Sequence, residues 1–304
     1  MKKLELLKIF LVTGVGLFFT RCDLINPSEG IPSYISISEI TVEPTIGTLT
    51  GTLSSKITQI RVTVPDPISG VSNTLGTFSL PATIPILLEG TFDIEIDPAI
   101  KANGNSFSLE VYPYYEKIIS TTTLVPGEII DLNLTTKYKE SIEVEFQEDF
   151  EGGDAIFFNR DLEPASPNEI VGFEQGAFEG KSGRIALDKD NAGFIISTEA
   201  AFSLDLNQTG AVYMEINYKN DIPIEVGIFG VNALGEDNPL WEFVLVEQEN
   251  WNKIYLNLTE TIQFLNENQF RFGIRGIIPF SPTLGDFTLE NAEVLLDNIK
   301  VIHF

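Results

Sequence analysis

Cysteine is nearly missing from these 304 residues: Cys22 is the single thiol. No intrachain disulfide can form, so the folded domains must hold by core burial alone. Histidine is as scarce. His303, the sole one, is the penultimate residue, which leaves Ser-His-Asp and His-metal arrangements without their base or ligand. No complete phosphate-loop signature is present. Basic residues are few: 19 Lys and Arg stand against 44 Asp and Glu, a formal charge of −25. Phosphate backbones demand a basic surface, so nucleic acid is excluded as a partner. Long apolar runs are missing too. Residues 9–20, IFLVTGVGLFFT, are twelve apolar or small residues without charge, and a bilayer core needs about 20. No membrane-spanning helix is expected.

What is present begins with that run. Residues 1–8, MKKLELLK, carry three lysines and one glutamate ahead of it. A basic segment before a short apolar one is the pattern of a secretory signal. Cys22 follows directly, and its position resembles the lipobox of bacterial lipoproteins. That resemblance implies cleavage of a signal at residues 1–21 and lipidation of Cys22, which explains a lone thiol at this place. The partner so implied is a membrane, reached through a lipid anchor. Residues 22–33 read as a tether, with two prolines and a glycine and no periodicity.

An apolar fraction of 43% with 22 phenylalanines excludes a disordered acidic chain, and a mature length of ~280 residues suggests two domains. Residues 34–139 hold short runs with period-2 alternation, such as YISISEITV, GTLTGTLSS, ITQIRVTVPD, TFDIEID and EIIDLNLTT. Turns such as PDPISG and KANGN part them. About seven strands in this span predict an immunoglobulin-like sandwich. The segment 137–149 marks a boundary by charge: residues 31–139 hold 11 acidic and 6 basic residues, residues 140–304 hold 30 and 9. The second span alternates as well. VYMEINYKN sets Val212, Met214, Ile216 and Tyr218 against Tyr213, Glu215, Asn217 and Lys219. QFRFGIRGI sets Phe270, Phe272 and Ile274 against Arg271, Gly273 and Arg275, and NKIYLNLT turns Ile254, Leu256 and Leu258 inward. Strands with one buried face build a two-sheet sandwich. One short helical turn is expected near 260–268.

Four pieces stand in order: EDFEGG (148–153), GKSGRIAL (180–187), ENWNKIYLNLT (249–259) and VLLDNIKVI (294–302). Together they resemble the jelly-roll modules found among carbohydrate-binding modules and galactose-binding-like domains. The fold expectation is therefore all-β, an immunoglobulin-like sandwich (34–139) followed by a jelly-roll sandwich (140–304). The resemblance implies a structural Ca²⁺ between the opening and closing strands, held by Glu151 and Asp297 with Asp149 as a third ligand. Calcium takes six to eight oxygens, many from carboxylates. It implies glycan binding as well. A sugar needs a flat aromatic face and planar hydrogen bonders, for which Trp241 and Phe243 with Arg271, Arg275, Glu215 and Glu225 are the candidates. Trp251 reads as structural. Nothing singles out two carboxylates for glycoside hydrolysis, so no enzyme is expected. The arrangement from Cys22 onward is similar to lipoproteins of Bacteroidetes-type outer membranes. The expected function is a non-catalytic, lipid-anchored envelope protein binding glycan. The competing class is a structural or assembly lipoprotein that binds another envelope protein.

Overall fold

The computed structural model describes residues 30–45, 52–105, 109–152, 156–160, 170–206, 210–283 and 285–304. Cys22, the signal segment and most of the tether lie outside the described residues. No helix among the described residues is long and apolar enough to cross a membrane.

Among its described residues the first half is built from ten strands, of which SYISI, QIRVTVP and ATIPI carry Ile or Val at alternate positions. The ten are β1 (Ser33–Ile37), β2 (Ile40–Glu43), β3 (Gln59–Pro65), β4 (Ser72–Ser79) and β5 (Ala82–Ile86), then β6 (Gly90–Lys101), β7 (Leu109–Val111), β8 (Ile118–Leu124), β9 (Ile129–Asp131) and β10 (Leu134–Lys137). One layer runs β4-β3-β6 with β8 and β7 both on β6; the other pairs β5-β1-β9 and continues as β2-β10. Ile35, Ile37, Ile60, Val62, Ile94 and Ile96 fill the space between them. The sandwich is as expected, but its order is not immunoglobulin-like. Immunoglobulin sheets split the second and third strands between layers. Here β1 and β2 act as one broken first strand, running parallel to β9 and β10 in turn, so β3 and β4 are the second and third, and they form a hairpin within one layer. Residues 52–58, including the end of the expected GTLTGTLSS strand, form none.

The second half contains β11 (Glu143–Glu148), β12 (Phe157–Asn159), β13 (Val171–Phe173), β14 (Ser182–Asp188), β15 (Gly193–Thr198), β16 (Phe202–Ser203) and β17 (Tyr213–Asn220). It continues with β18 (Ile224–Val231), β19 (Asp237–Leu245), β20 (Gln248–Asn257), helix α1 (Thr259–Leu265), β21 (Gln269–Ile277), β22 (Phe280–Ser281), β23 (Asp286–Phe287) and β24 (Asn291–His303). One sheet runs β13-β14-β24-β17-β20 with β11 also on β24; the other runs β12-β15-β21-β18-β19. The eight strands β14, β24, β17, β20 and β15, β21, β18, β19 switch layers at every connection except the β18-β19 hairpin, as two interleaved Greek keys. That order is a jelly roll. Its core holds Met214, Ile216, Ile254, Leu256, Phe270, Phe272 and Ile274 on the faces their alternation predicts.

Two of the motif pieces meet inside this sandwich. Phe150 of EDFEGG adopts φ 57°, and its ring packs on Gly183, where a Cβ would lie 2.6 Å away. The buried Glu148 carboxylate accepts from Phe150 N at 2.9 Å and Ile156 N at 2.6 Å and holds that turn. These residues are fold determinants.

The halves are not joined by an exposed linker. Tyr138 and Ile142, in the connection from β10 to β11, are 3% and 2% exposed. The end of β6 also docks on β20: Asn103 N donates to Tyr255 O at 2.8 Å and Asn257 N to Asn103 Oδ1 at 2.7 Å.

Candidate functional site

The jelly roll has two outer sheet faces, and they differ. On the β12-β15-β21-β18-β19 sheet the register aligns Phe158, Ser197, Gly273, Gly227 and Trp241 in one row across five strands. At ~4.8 Å per strand the row spans roughly 19 Å. The two glycines let aromatic rings lie down on the sheet. A Cβ on Gly227 would sit 2.5 Å from Trp241 Cε3, and one on Gly273 would sit 2.6 Å from Phe229 Cζ. Phe229 and Trp241 pack edge to face at 5.2 Å. Phe229 is buried and Trp241 half-buried, while Phe158 at the far end is 45% exposed.

Charged groups flank this row. Arg275 Cζ lies 4.5 Å from the Trp241 ring centroid, and its Nε donates to Glu225 Oε2 at 2.6 Å. On the other side Arg271 bonds Asp237 and donates to Glu199 O at 3.0 Å; Arg160 reaches Asp237 Oδ2 at 2.9 Å. Trp241, Arg271 and Arg275 are thus brought to one face, and Glu225 joins them. Phe243 is not there. A β-bulge pairs Val226 with Phe243 and Gly227 with Trp241, so residues two apart point to opposite faces and Phe243 enters the core. Sequence reasoning missed Phe229, Gly227 and Gly273. A glycine at an outward strand position, as Gly227 and Gly273 are, was the available signal. Trp251 is tied down, with Nε1 donating to Gly176 O at 3.1 Å.

The opposite outer face, on β24-β17-β20, does not meet solvent. Six of the eight tyrosines, Tyr112, Tyr114, Tyr115, Tyr138, Tyr213 and Tyr255, cluster there between the halves. Tyr112 packs edge to face against Tyr114, Tyr213 and Tyr255 at 4.8–5.3 Å. Glu215 sits fully buried among them. Its carboxylate accepts from Tyr112 OH at 2.7 Å and Tyr138 OH at 2.8 Å, and ion-pairs Lys253 at 2.6 Å and Lys300 at 3.5 Å. Burial alone would raise its pKa. The two ammonium groups and the tyrosine hydroxyl outweigh that and bring it down to about 2. Burial lowers Lys300 to about 8 despite Glu215. Glu215 was expected on a ligand-facing surface. It is instead the centre of a closed joint, because the first sandwich covers its side of β17.

The three expected calcium ligands are each engaged by protein donors. Asp297 Oδ2 accepts from Ser182 Oγ at 2.7 Å and Glu179 N at 3.3 Å, and Oδ1 from Asn298 N at 2.7 Å. Glu151 Oε1 turns to Lys181 N at 2.5 Å, and Asp149 Oδ1 accepts from Glu151 N at 3.1 Å. Among the described residues no three acidic, His or Cys side chains converge as a cation site. The carboxylates serve backbone and hydroxyl donors.

No family model matches the chain, and no curated protein matches it. Solved structures that it resembles are carbohydrate-binding modules. A xylan-binding domain from CBM22 aligns with TM-score 0.32 and 10% identity over 54% of this chain and 96% of its own. The CBM22-2 xylan-binding domain of Paenibacillus barcinonensis Xyn10C gives 0.33 and 11% over 52% and 99%. The CBM22-1–GH10 modules of Clostridium thermocellum Xyn10B, complexed with xylohexaose, give 0.35 and 9% over 53% of this chain. The chain spans only 28% of that protein. The jelly-roll assignment rests on the strand order.

Proposed function

We propose that this protein is a non-catalytic, lipid-anchored cell-envelope protein of the Bacteroidetes type, whose jelly roll binds glycan on the β12-β15-β21-β18-β19 face. The observation that carries the reading is the row ending in Trp241. An indole seated on Gly227 with the Arg275 guanidinium over its ring, and with Glu225 and Arg271 on the same sheet face, supplies a stacked planar surface and the hydrogen bonders that a sugar ring needs. The polar groups are held by one another, so the face is organised before any ligand arrives, which limits the ordering cost of binding. The anchor rests on Cys22, a thiol placed directly after an apolar signal segment.

Two experiments test the two parts. The full chain carrying Cys22→Ser should leave the membrane fraction; unchanged detergent partition of that variant removes the anchor. On a glycan array the same chain should retain a defined set of saccharides. Trp241→Ala should weaken that binding about 30-fold, the ~2 kcal/mol typical of a buried aromatic anchor. Equal binding by the variant rules out this face.

A further inference from the structure

A second concavity lies at the junction of the sandwiches, with a volume of about 340 Å³. Lys56, Thr58 and Lys101 line it from the first half, and Tyr218, Asn252 and Lys253 from the second. No aspartate or glutamate lines it, in a chain with 44 of them; Glu247 and Glu249 only adjoin lining residues in sequence. Most basic residues elsewhere meet a carboxylate: Arg61, Lys117, Arg160, Lys189, Arg271 and Arg275 are each ion-paired. Here the pattern reverses. Lys101 meets no carboxylate among the described residues, and Lys56 Nζ has the neutral Asn252 Oδ1 at 2.5 Å. The Lys56 ammonium is held below its usual pKa by burial and then by Lys101. Two like charges facing one hollow repel, and an anion between them would reverse the sign of that interaction.

Two buried polar atoms of lining residues are also incompletely used. Thr58 Oγ1 has no hydrogen-bond partner among the described residues. Lys253 Nζ has its ion pair with Glu215 at 2.6 Å and no further acceptor. Buried donors left unused are costly, but both atoms are closed to solvent, so holding an anion in the cleft falls to Lys56 and Lys101. The volume exceeds what one inorganic anion fills and reaches the lower end of small-ligand sites. Val244 and Val246 add apolar lining, against which a sugar ring can rest.

We propose that this cleft binds the charged group of an acidic saccharide, a carboxylate or a sulfate ester, between Lys56 and Lys101. The saccharide part rests on the glycan reading above; the anion part does not. A chain of net charge −25 repels polyanions over most of its surface, so recognition would be confined to this cleft and weakened by salt.

The test uses the full chain with Cys22→Ser and calorimetric titration at low ionic strength. The probes are inorganic sulfate, a short uronic-acid oligosaccharide, its sulfated neutral-sugar counterpart and an unsulfated neutral oligosaccharide. At least one acidic oligosaccharide should bind more tightly than the neutral one, and which one identifies the carboxylate or the sulfate ester. Lys56→Gln with Lys101→Gln should weaken that binding at least tenfold, as expected for lost charge-assisted bonds. The same pair of changes should not lower the melting temperature, since it removes a repulsion, and should leave neutral-glycan binding through Trp241 unchanged. Lys253 is left in place because its loss would strand Glu215. Equal affinity for acidic and neutral oligosaccharides, or acidic binding that survives the double variant, overturns the inference while leaving the Trp241 face standing. Lysine-dependent sulfate binding with no saccharide bound means that the cleft takes a free anion. The saccharide part of the inference then falls, while the glycan reading is decided by the array and Trp241→Ala.

Discussion

Glu215 and Gly227 stand on opposite sheets, and each answers to a single substitution. Glu215→Gln keeps the tyrosine hydrogen bonds but leaves Lys253 and Lys300 buried without a counter-charge. Removing one partner of a buried pair costs about 3–5 kcal/mol, which denaturant unfolding should report. The pH dependence follows from the same geometry. Glu215, depressed to about 2, contributes stability that is complete above its unfolded pKa near 4.5 and is lost as pH falls toward 2. Asp297 acts in the opposite sense. Burial raises it to about 6, so its contribution is present below its unfolded value and lost as pH rises through about 6. Melting temperature should therefore stay flat or rise between pH 6 and pH 4 and drop steeply only below that, which a pH series of thermal scans checks. A monotonic fall from neutrality would contradict it. Gly227→Ala should lift the Trp241 ring off the sheet, because its Cβ would stand 2.5 Å from Cε3. Indole fluorescence should shift while the far-UV spectrum stays unchanged; no shift would mean that the ring does not rest there.

At the scale of the element, β24 carries the most information. Its residues are nearly all buried, one face on the core and the other on the tyrosine joint. Asn298 at φ 48° marks the place where its pairing with β17 slips by one. Asn tolerates that left-handed conformation better than other non-glycine residues. Asn298→Ala should cost about 1–2 kcal/mol and Asn298→Gly much less; equal losses would place the effect in the side chain. Alternation made much of this half legible: the inward faces of QFRFGIRGI and NKIYLNLT and the short helix all follow from period and propensity. Two things did not. Period 2 separates the faces of VYMEINYKN but does not say what lies opposite them, so Glu215 read as outward. A bulge has no sequence period, so Phe243 was grouped with Trp241. The order of the first sandwich was equally hidden, because parallel pairing of β1 with β9 depends on contacts about 95 residues apart.

For the whole molecule the tyrosine joint dominates at alkaline pH. Tyr112, Tyr115, Tyr138 and Tyr255 are raised well above their usual values by burial first and by neighbouring Glu215 or tyrosine second. Their contribution is present at neutral pH and is lost as pH climbs past 10 toward those raised values. Lys300, lowered to about 8, works against this between about 8 and 10.5. The tyrosinate absorbance of the six joint tyrosines should therefore appear in one late step that coincides with loss of the β spectrum, over whatever signal Tyr34 and Tyr218 outside the joint give. A gradual titration ahead of unfolding would show that the rings reach solvent.

The joint also bears on how such a chain can be inherited. A binding module that finishes its own surface can be cut out by recombination and attached elsewhere. This jelly roll cannot travel that way, because Tyr213, Glu215, Tyr255 and Lys300 are completed by Tyr112 and Tyr138 of its neighbour. Transplanted alone, it would carry a bare patch of rings around unscreened charge. Such a seam is expected to keep the two sandwiches together, with substitutions on one side matched on the other.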